Sequence, residues 1–185
     1  MLLLDAVNEI LPKLGEHPVT SLDSKSPTLG VILPEIDSQI DQLLQPGWWF
    51  NTFHVDLYPN SEGYIDVPED TLSFVSDPQY GVIVQRGERF YNAATRNYQF
   101  TGKVSGKLIQ RMSFEELPAS AARFVMYSAL VIIYLTDIGL EQVVQSWSAQ
   151  ANIAQAAMEQ EHLRQRQFTI KQSRRYRNLR RAMRG

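Results

Sequence analysis

Apolar residues recur every three or four positions in two stretches before residue 48, which is the spacing that places them on one face of an α-helix. The first stretch ends at Gly15 and the second at Pro46 and Gly47, residues that commonly close helices. Pro34 lies inside the second stretch and predicts either a kink or a later start, of which a kink is favoured. The apolar positions are Leu4, Val7, Ile10, Leu11 and Leu14, then Leu29, Ile32, Leu33, Ile36, Ile40, Leu43 and Leu44.

A third helix is predicted over residues 119–135, which are almost continuously apolar. Ser113 and Glu116 have the spacing of a capping box, and Pro118 suits a first helical turn because its missing N–H costs nothing there. The apolar run is shorter than the roughly 20 residues that a membrane-spanning helix needs. It is therefore predicted to be a core helix.

Gly139 is expected to reverse the chain into a fourth, longer helix that extends to about residue 168. The two C-terminal helices should form an antiparallel hairpin. The apolar face of the fourth helix is predicted to comprise Leu140, Val143, Val144, Trp147, Ala151, Ala154 and Met158.

From Trp48 the apolar period changes to two, which is typical of β-strands. A first strand follows Trp49, with Phe53, Val55 and Leu57 on one face. Further strands, bounded by Gly, Pro, Asn and Asp, are predicted at 63–67, 71–76, 80–85, 89–92, 98–101 and 107–112. The aromatic residues concentrated here are predicted to form the junction between sheet and helices; they are Trp48, Trp49, Phe50, Phe53, Tyr58 and Tyr64.

These patterns predict an α+β fold: a helical bundle of two N-terminal and two C-terminal helices with an inserted small antiparallel β domain. The predicted segments are 1–47 (N-terminal helices), 48–112 (β insert), 113–170 (C-terminal hairpin) and 171–185 (a basic arm). Residues 1–5 lack the basic and apolar regions of a signal peptide. The absence of cysteine excludes disulfides and thiolate metal sites, and suits assembly in a reducing cytoplasm.

The net charge of −2 conceals a strong asymmetry. Residues 1–163 carry nine basic and twenty acidic residues, whereas the remainder carries nine basic and no acidic residues. Arginine binds carboxylates and phosphates in a bidentate manner, so either an acidic protein groove or a nucleic acid fits this segment. The candidate partner-binding residues are Arg164, Arg166, Lys171, Arg174, Arg175, Arg177, Arg180, Arg181 and Arg184.

No constellation of catalytic, cofactor-binding or metal-ligating residues is predicted. His17, His54 and His162 are far apart in sequence and lack the i, i+4 spacing of a helical metal site. Glycoside hydrolysis needs two nearby carboxylates. The candidates for such a pair are Asp66 with Glu69 or Asp70, and Glu115 with Glu116; Asp66 and Asp70 are interpreted as strand-end and turn residues, and Glu116 as a helix cap.

Several short segments, in order along roughly residues 1–165, match the pattern of one known protein family. They are 6–11 (AVNEIL), 14–16 (LGE), 18–19 (PV), 47–51 (GWWFN), 65–70 (IDVPED) with Leu72, 86–91 (RGERFY), and 114–118 (FEELP) with Arg123. In these segments the chain resembles the tail tubular protein A family, the head-to-tail adaptors or gatekeepers of short-tailed, T7-like bacteriophages. The arginine-rich segment after Leu163 and Pro34 depart from the family pattern.

The resemblance implies a structural protein of the virion tail without enzymatic activity. It further implies a ring, a dodecamer, that lies between the portal protein and the nozzle (tail tubular B) protein and surrounds the channel through which DNA leaves. The family's C-terminal region reaches toward the portal, so portal is the expected partner of the basic arm. Two alternatives stay open: DNA binding through that arm, and, more weakly, polysaccharide hydrolysis.

Overall fold

The computed structural model describes residues 1–24, 26–139 and 141–166. Its helices are α1 (Leu3–Ile10), α2 (Leu29–Leu44), α3 (Ala119–Asp137) and α4 (Gln142–Gln165). Its strands are β1 (Thr52–Leu57), β2 (Thr71–Ser76), β3 (Ile83–Arg86), β4 (Arg89–Asn92) and β5 (Val104–Gln110). Short 3-10 helices lie at Leu11–Leu14, Pro78–Tyr80 and Phe114–Glu116. The predicted α+β class is confirmed.

The central element of the bundle is α3, which packs against α1, α2 and α4. Eight of its residues are buried: Ala121, Ala122, Val125, Met126, Ala129, Leu130, Ile133 and Tyr134. α4 contributes Val144, Ala151, Ala154 and Met158 to the core, as its periodicity predicted. Val143 is instead 38% exposed, and Leu140 lies outside the described residues.

The predicted antiparallel hairpin of α3 and α4 is confirmed by contacts at both of its ends. Near the start of α3, the Ser120 hydroxyl donates to Glu161 Oε2 at 3.5 Å. Near the end of α3, the Tyr134 hydroxyl donates to Glu141 Oε2 at 2.7 Å. Gly139 turns the chain between the helices with a φ of 106°, in the left-handed region that glycine adopts without strain.

α3 meets the length and hydropathy criteria for a helix that could cross a membrane. The expectation that it was too short for a bilayer was therefore wrong, because the helix continues two residues beyond the apolar run. A buried core helix meets the same criteria, and α3 contacts helices on several sides. Its place in the bundle supports the predicted role as a core helix.

Two helix starts differ in detail from expectation. The box formed by Ser113 and Glu116 caps the 3-10 helix Phe114–Glu116 rather than α3, and Pro118 is the N-cap of α3 rather than its first residue. α2 begins at Leu29 and contains Pro34, so the alternative of a later start was wrong. Whether Pro34 kinks α2 stays a prediction.

The strands form two antiparallel sheets, one with the order β1-β5-β2 and a hairpin of β3 and β4. A second core of Ile65, Ile83, Phe90, Phe100 and Val104 lies between them. At the centre of β5, a Cβ on Gly106 would come within 2.5 Å of the Val75 carbonyl oxygen. Only glycine therefore fits at this position of β5, where the paired strand β2 approaches closely.

Two predicted strands, 63–67 and 98–101, were wrong, because the described residues there form only isolated bridges, such as Tyr64 with Gln99 and Asp66 with Arg89. The physical reason is local turn chemistry. Asn60 Oδ1 accepts hydrogen bonds from two backbone amides at 3.0 Å and draws the segment into a turn. The bounds of β2 and β4 were predicted correctly, whereas β3 and β5 are displaced by three residues at their starts.

Candidate functional site

The described part of the candidate site is the C-terminal end of α4, where the basic segment begins. Arg164 and Arg166 are exposed there, so their guanidinium groups are available to a partner. The other seven predicted residues (Lys171, Arg174, Arg175, Arg177, Arg180, Arg181 and Arg184) lie outside the described residues. The environment of the segment can therefore be described at its first turn.

His162 anchors this end of α4 to the loop that follows α2. The backbone N–H of Trp49 donates to His162 Nδ1 at 3.2 Å. The Trp48 ring meets the imidazole edge-on at 5.3 Å between centroids, and the Trp49 ring lies at 5.9 Å. Burial, and then the charge of Arg166, lower the pKa of His162. A neutral imidazole is the form that can accept the Trp49 hydrogen bond.

The loop that receives His162 is itself fixed by hydrogen bonds. Trp48 Nε1 donates to the Leu43 carbonyl at 2.6 Å, and the Trp48 amide donates to Asn51 Oδ1 at 2.7 Å. The Asn51 side chain is fully buried and donates to the carbonyls of Leu44 at 3.1 Å and Gln110 at 3.0 Å. One amide group thus joins α2, β5 and this loop.

Arg111 makes a second link between sheet and bundle. It follows β5, and its Nε lies 2.7 Å from Asp41 Oδ1 while its Nη2 lies 3.0 Å from Asp37 Oδ1, both on α2. The end of α4, where the basic segment begins, therefore lies at a junction of bundle and sheet that several hydrogen bonds and two ion pairs hold together. The predicted place of the aromatic residues at this junction is confirmed for Trp48, Trp49 and Phe50, which pack against the helical core. It was wrong for Phe53 and Tyr58, which are 42% and 67% exposed, and for Tyr64, whose ring instead lies against Arg89 in the β insert.

Replacing Arg111 with alanine is expected to lower the free energy of unfolding by about 1 kcal/mol, the upper end for ion pairs that water still reaches. Two carboxylates share this guanidinium, so the loss should exceed that of Lys103→Ala, which removes one exposed pair with Asp56. Urea unfolding of the two variants measures both values. Equal small losses would show that the Arg111 link is negligible.

The stability contributed by the His162 contact should fall as the pH falls. Because the folded-state pKa is lowered, the unfolded chain binds more protons, and stability is lost as the pH drops below the ordinary histidine pKa of about 6.5. His162→Gln should flatten the decline between about pH 7.5 and 5. The measurement is the difference in unfolding free energy between parent and variant at each pH. A constant difference would contradict this account.

Four of the carboxylates considered for a hydrolase site have structural roles instead: Asp66, Asp70, Glu115 and Glu116. Asp66 Oδ2 accepts from Asn60 Nδ2 at 3.2 Å, and Asp70 is a turn residue with a φ of 58°. Glu116 accepts hydrogen bonds from the Ser113 backbone amide and hydroxyl at 2.9 Å each. The hydrogen bond from the backbone amide is the main cause that lowers the pKa of Glu116. Glu115 accepts from the Leu3 amide at 3.2 Å. The interpretation of Asp70 as a turn residue and of Glu116 as a cap is confirmed, whereas Asp66 lies in an isolated bridge with Arg89 rather than at the end of a strand.

Neither the histidines nor a cleft beside the β3–β4 hairpin forms a reactive site in the part of the chain that the structure describes. Within residues 1–24, 26–139 and 141–166, no group of three potential metal ligands comes together. A cleft of about 610 Å³ lies beside the β3–β4 hairpin. Two of its amide groups, Asn92 and Asn97, accept hydrogen bonds from nearby backbone amides. These amide oxygens thus serve the turn.

Sequence reasoning missed the anchoring role of His162 and interpreted it only as a surface or hydrogen-bonded histidine. The available signal was the segment 47–51, where two adjacent tryptophans and an asparagine follow a helix stop. An asparagine in such a loop commonly bonds the backbone. A contact over more than 100 residues of sequence has no periodic signature, so the histidine partner was not predictable from this segment.

Comparison with known proteins decides the family. A family model described as tail tubular protein matches residues 4–168. The chain belongs to the tail tubular protein family. Tail tubular protein A of Klebsiella phage KP34 is 31% identical over 182 residues, which cover 97% of this chain and 96% of that protein. The resemblance predicted from the sequence motifs is confirmed.

Membership in the tail tubular protein family makes the chain a structural protein of the phage tail. The match is to a structural family rather than to a family of enzymes.

Proposed function

We propose that this chain is a ring-forming adaptor, present in about twelve copies, that joins the portal protein to the nozzle protein around the DNA exit channel. The observation that carries the proposal is the anchored start of a segment whose charged residues are all basic. His162 fixes the end of α4 on the Trp48–Trp49 loop, and all nine charged residues that follow it are basic. The subunits assemble in the host cytoplasm and remain in the virion tail.

The proposed division of labour follows the predicted segments. Residues 1–47 and 113–170 supply the bundle, and residues 48–112 supply the β insert, which is joined to it through Asn51 and Arg111. Residues 171–185 act as the arm. A rigid base at the root of the arm limits the total entropy cost of binding.

An acidic or polar groove on the portal is the surface that suits this arm. Arginine forms bidentate hydrogen bonds with carboxylates, and excess positive charge speeds association with an acidic partner. The remainder of the chain is acidic, with nine basic and twenty acidic residues. The charge of the body would therefore disfavour adsorption to DNA passing through the ring.

The test is to mix the full-length protein with the portal protein of the same phage and measure mass by light scattering, with particles imaged by electron microscopy. A closed ring seated on the portal is expected. A monomeric free subunit is compatible with the proposal, because the test concerns assembly in the presence of portal. A protein that stays monomeric and never joins the portal would overturn the proposal.

Direct DNA binding by the arm is the second candidate, favoured by the same arginine-rich sequence. Contacts to several phosphates would make DNA affinity fall steeply with salt concentration. A chain that ends at Leu163 should then lose both the affinity and its salt dependence relative to the full-length protein. Equal DNA binding by the two chains would exclude the arm as a DNA contact.

A further inference from the structure

The outward face of α4 is unusual because it is exposed and uncharged over most of the helix. No charged residue occurs from Gln142 to Met158, and the charged residues of α4 all follow. Ile153 is 62% exposed at the middle of this face. Exposed helix faces normally carry charged residues. The exposed residues of this stretch are Gln142, Val143, Gln145, Ser146, Ala149, Gln150, Asn152, Ile153, Ala156 and Ala157.

A groove between α3 and α4 runs beside this face. Its volume is about 230 Å³, and its lining includes Arg123, Tyr127 and Ile153. Arg123 is exposed, and no carboxylate oxygen of the described residues lies within ion-pair distance of it. The Tyr127 hydroxyl donates to Glu9 Oε1 at 3.4 Å. The groove thus combines the uncharged outward face of α4 with the cationic side chain of Arg123, which lies beyond ion-pair distance of the described carboxylates.

The N-terminal helices offer the complementary surface. Residues 1–47 contain seven acidic and two basic residues, a net charge of −5. Asp5 and Glu16 are exposed there, and Asp37 is exposed although it pairs with Arg111. Val31 is an exposed apolar residue of α2. Arg123 and the ridge around Ile153 therefore match the chemistry of this acidic surface with its apolar patch. A tail tubular subunit carries both surfaces.

We propose that the outward face of α4, from Gln142 to Ala157, together with Arg123, is the subunit contact that receives the α1–α2 surface of a second copy. Because the two surfaces differ, the contact is head-to-tail, and head-to-tail contacts that close produce rings. The small side chains of the ridge allow a neighbouring helix to approach closely. This inference rests on the proposed ring function and specifies which faces build the ring.

Ile153→Glu tests the contact in the mixture with portal that assembles the parent chain. A carboxylate at the centre of the face should be repelled by the acidic neighbour and lower ring yield at least 10-fold. Val82→Glu is the matched control, because Val82 is 66% exposed but lies on the β insert. Far-UV circular dichroism and thermal unfolding must show both variants folded. Normal ring assembly by folded Ile153→Glu would overturn the inference and leave the ring function standing.

The identity of the occupant is tested by cross-linking. The chain has no cysteine, so Ile153→Cys carries a benzophenone maleimide at one position only. Irradiation of assembled rings should attach this probe to peptides from residues 1–47 of a second copy. Attachment to residues 48–112, or to the portal protein instead, would overturn the assignment. Failure of the parent chain to form rings would overturn the proposed function and this inference together.

Discussion

Asn51→Ala is expected to destabilise the protein by about 3 kcal/mol, because removing a buried amide leaves several backbone groups without partners. Asn51 is fully buried, and its loss leaves the Gln110 carbonyl and the Trp48 amide without their side-chain partner, while the Leu44 carbonyl keeps only its bond from the Gly47 amide. Each buried unsatisfied group costs about 1–3 kcal/mol, though such costs are not additive. Urea unfolding followed by fluorescence and circular dichroism measures the loss.

Asn8→Ala is the matched control for Asn51→Ala. Asn8 also bonds the backbone twice, to the amide and carbonyl of Val19, but it is only partly buried. Water can replace those bonds, so a smaller loss is expected. A loss below about 1 kcal/mol for Asn51→Ala would show that the junction tolerates its orphaned groups.

Replacing the seven basic residues from Lys171 to Arg184 with glutamine should weaken portal binding about 100-fold or more at physiological salt, since the variant loses steering and charge-assisted hydrogen bonds together. The parent affinity should fall as salt is raised, because exposed charges are screened over about 8 Å at 0.15 M. Surface-immobilised portal and a salt series measure both effects.

A variant with arginine replaced by lysine throughout the same segment separates charge from geometry. Lysine keeps the charge but lacks the planar guanidinium that binds carboxylates in a bidentate manner. Intermediate binding is therefore expected. If the glutamine variant binds portal as tightly as the parent, the basic segment is not the portal contact.

The bundle could be predicted from sequence because its signals are local. Apolar spacing located α1, α2 and α4, and the stop residues Gly15, Gly47 and Gly139 all adopt positive φ in the structure. The core positions Val144, Ala151, Ala154 and Met158 followed directly from the same spacing. Periodicity succeeds here because each helix buries a single continuous face.

The β region was less predictable because its strands are short and its turns compete with pairing. Residues 63–67 have strand-like composition, yet side chains such as Asn60 take up backbone amides that a ladder would have used. Phe53 was predicted to share one strand face with Val55 and Leu57, yet it is 42% exposed whereas those two are half-buried. Pairing in two sheets rather than one depends on contacts distant in sequence, which alternation does not encode.

The sequence predicted the basic segment of the candidate site but not the contact that holds its first turn. Charge asymmetry indicated the basic segment, since a run of nine cations without an acid needs no structure to detect. The tie that holds its root, from His162 to the Trp48–Trp49 loop, joins positions 113 residues apart. Only the folded chain brings them together.

The place where α4 ends has a mechanical consequence. His162 meets the loop that leads from α2 into β1, so the basic segment leaves the bundle at its β-proximal end. Tension on that segment is transmitted first to the tryptophan loop and then, through Asn51, to both α2 and β5. Force applied to the basic segment is thereby shared between the helices and the strands instead of separating α4 alone from the bundle.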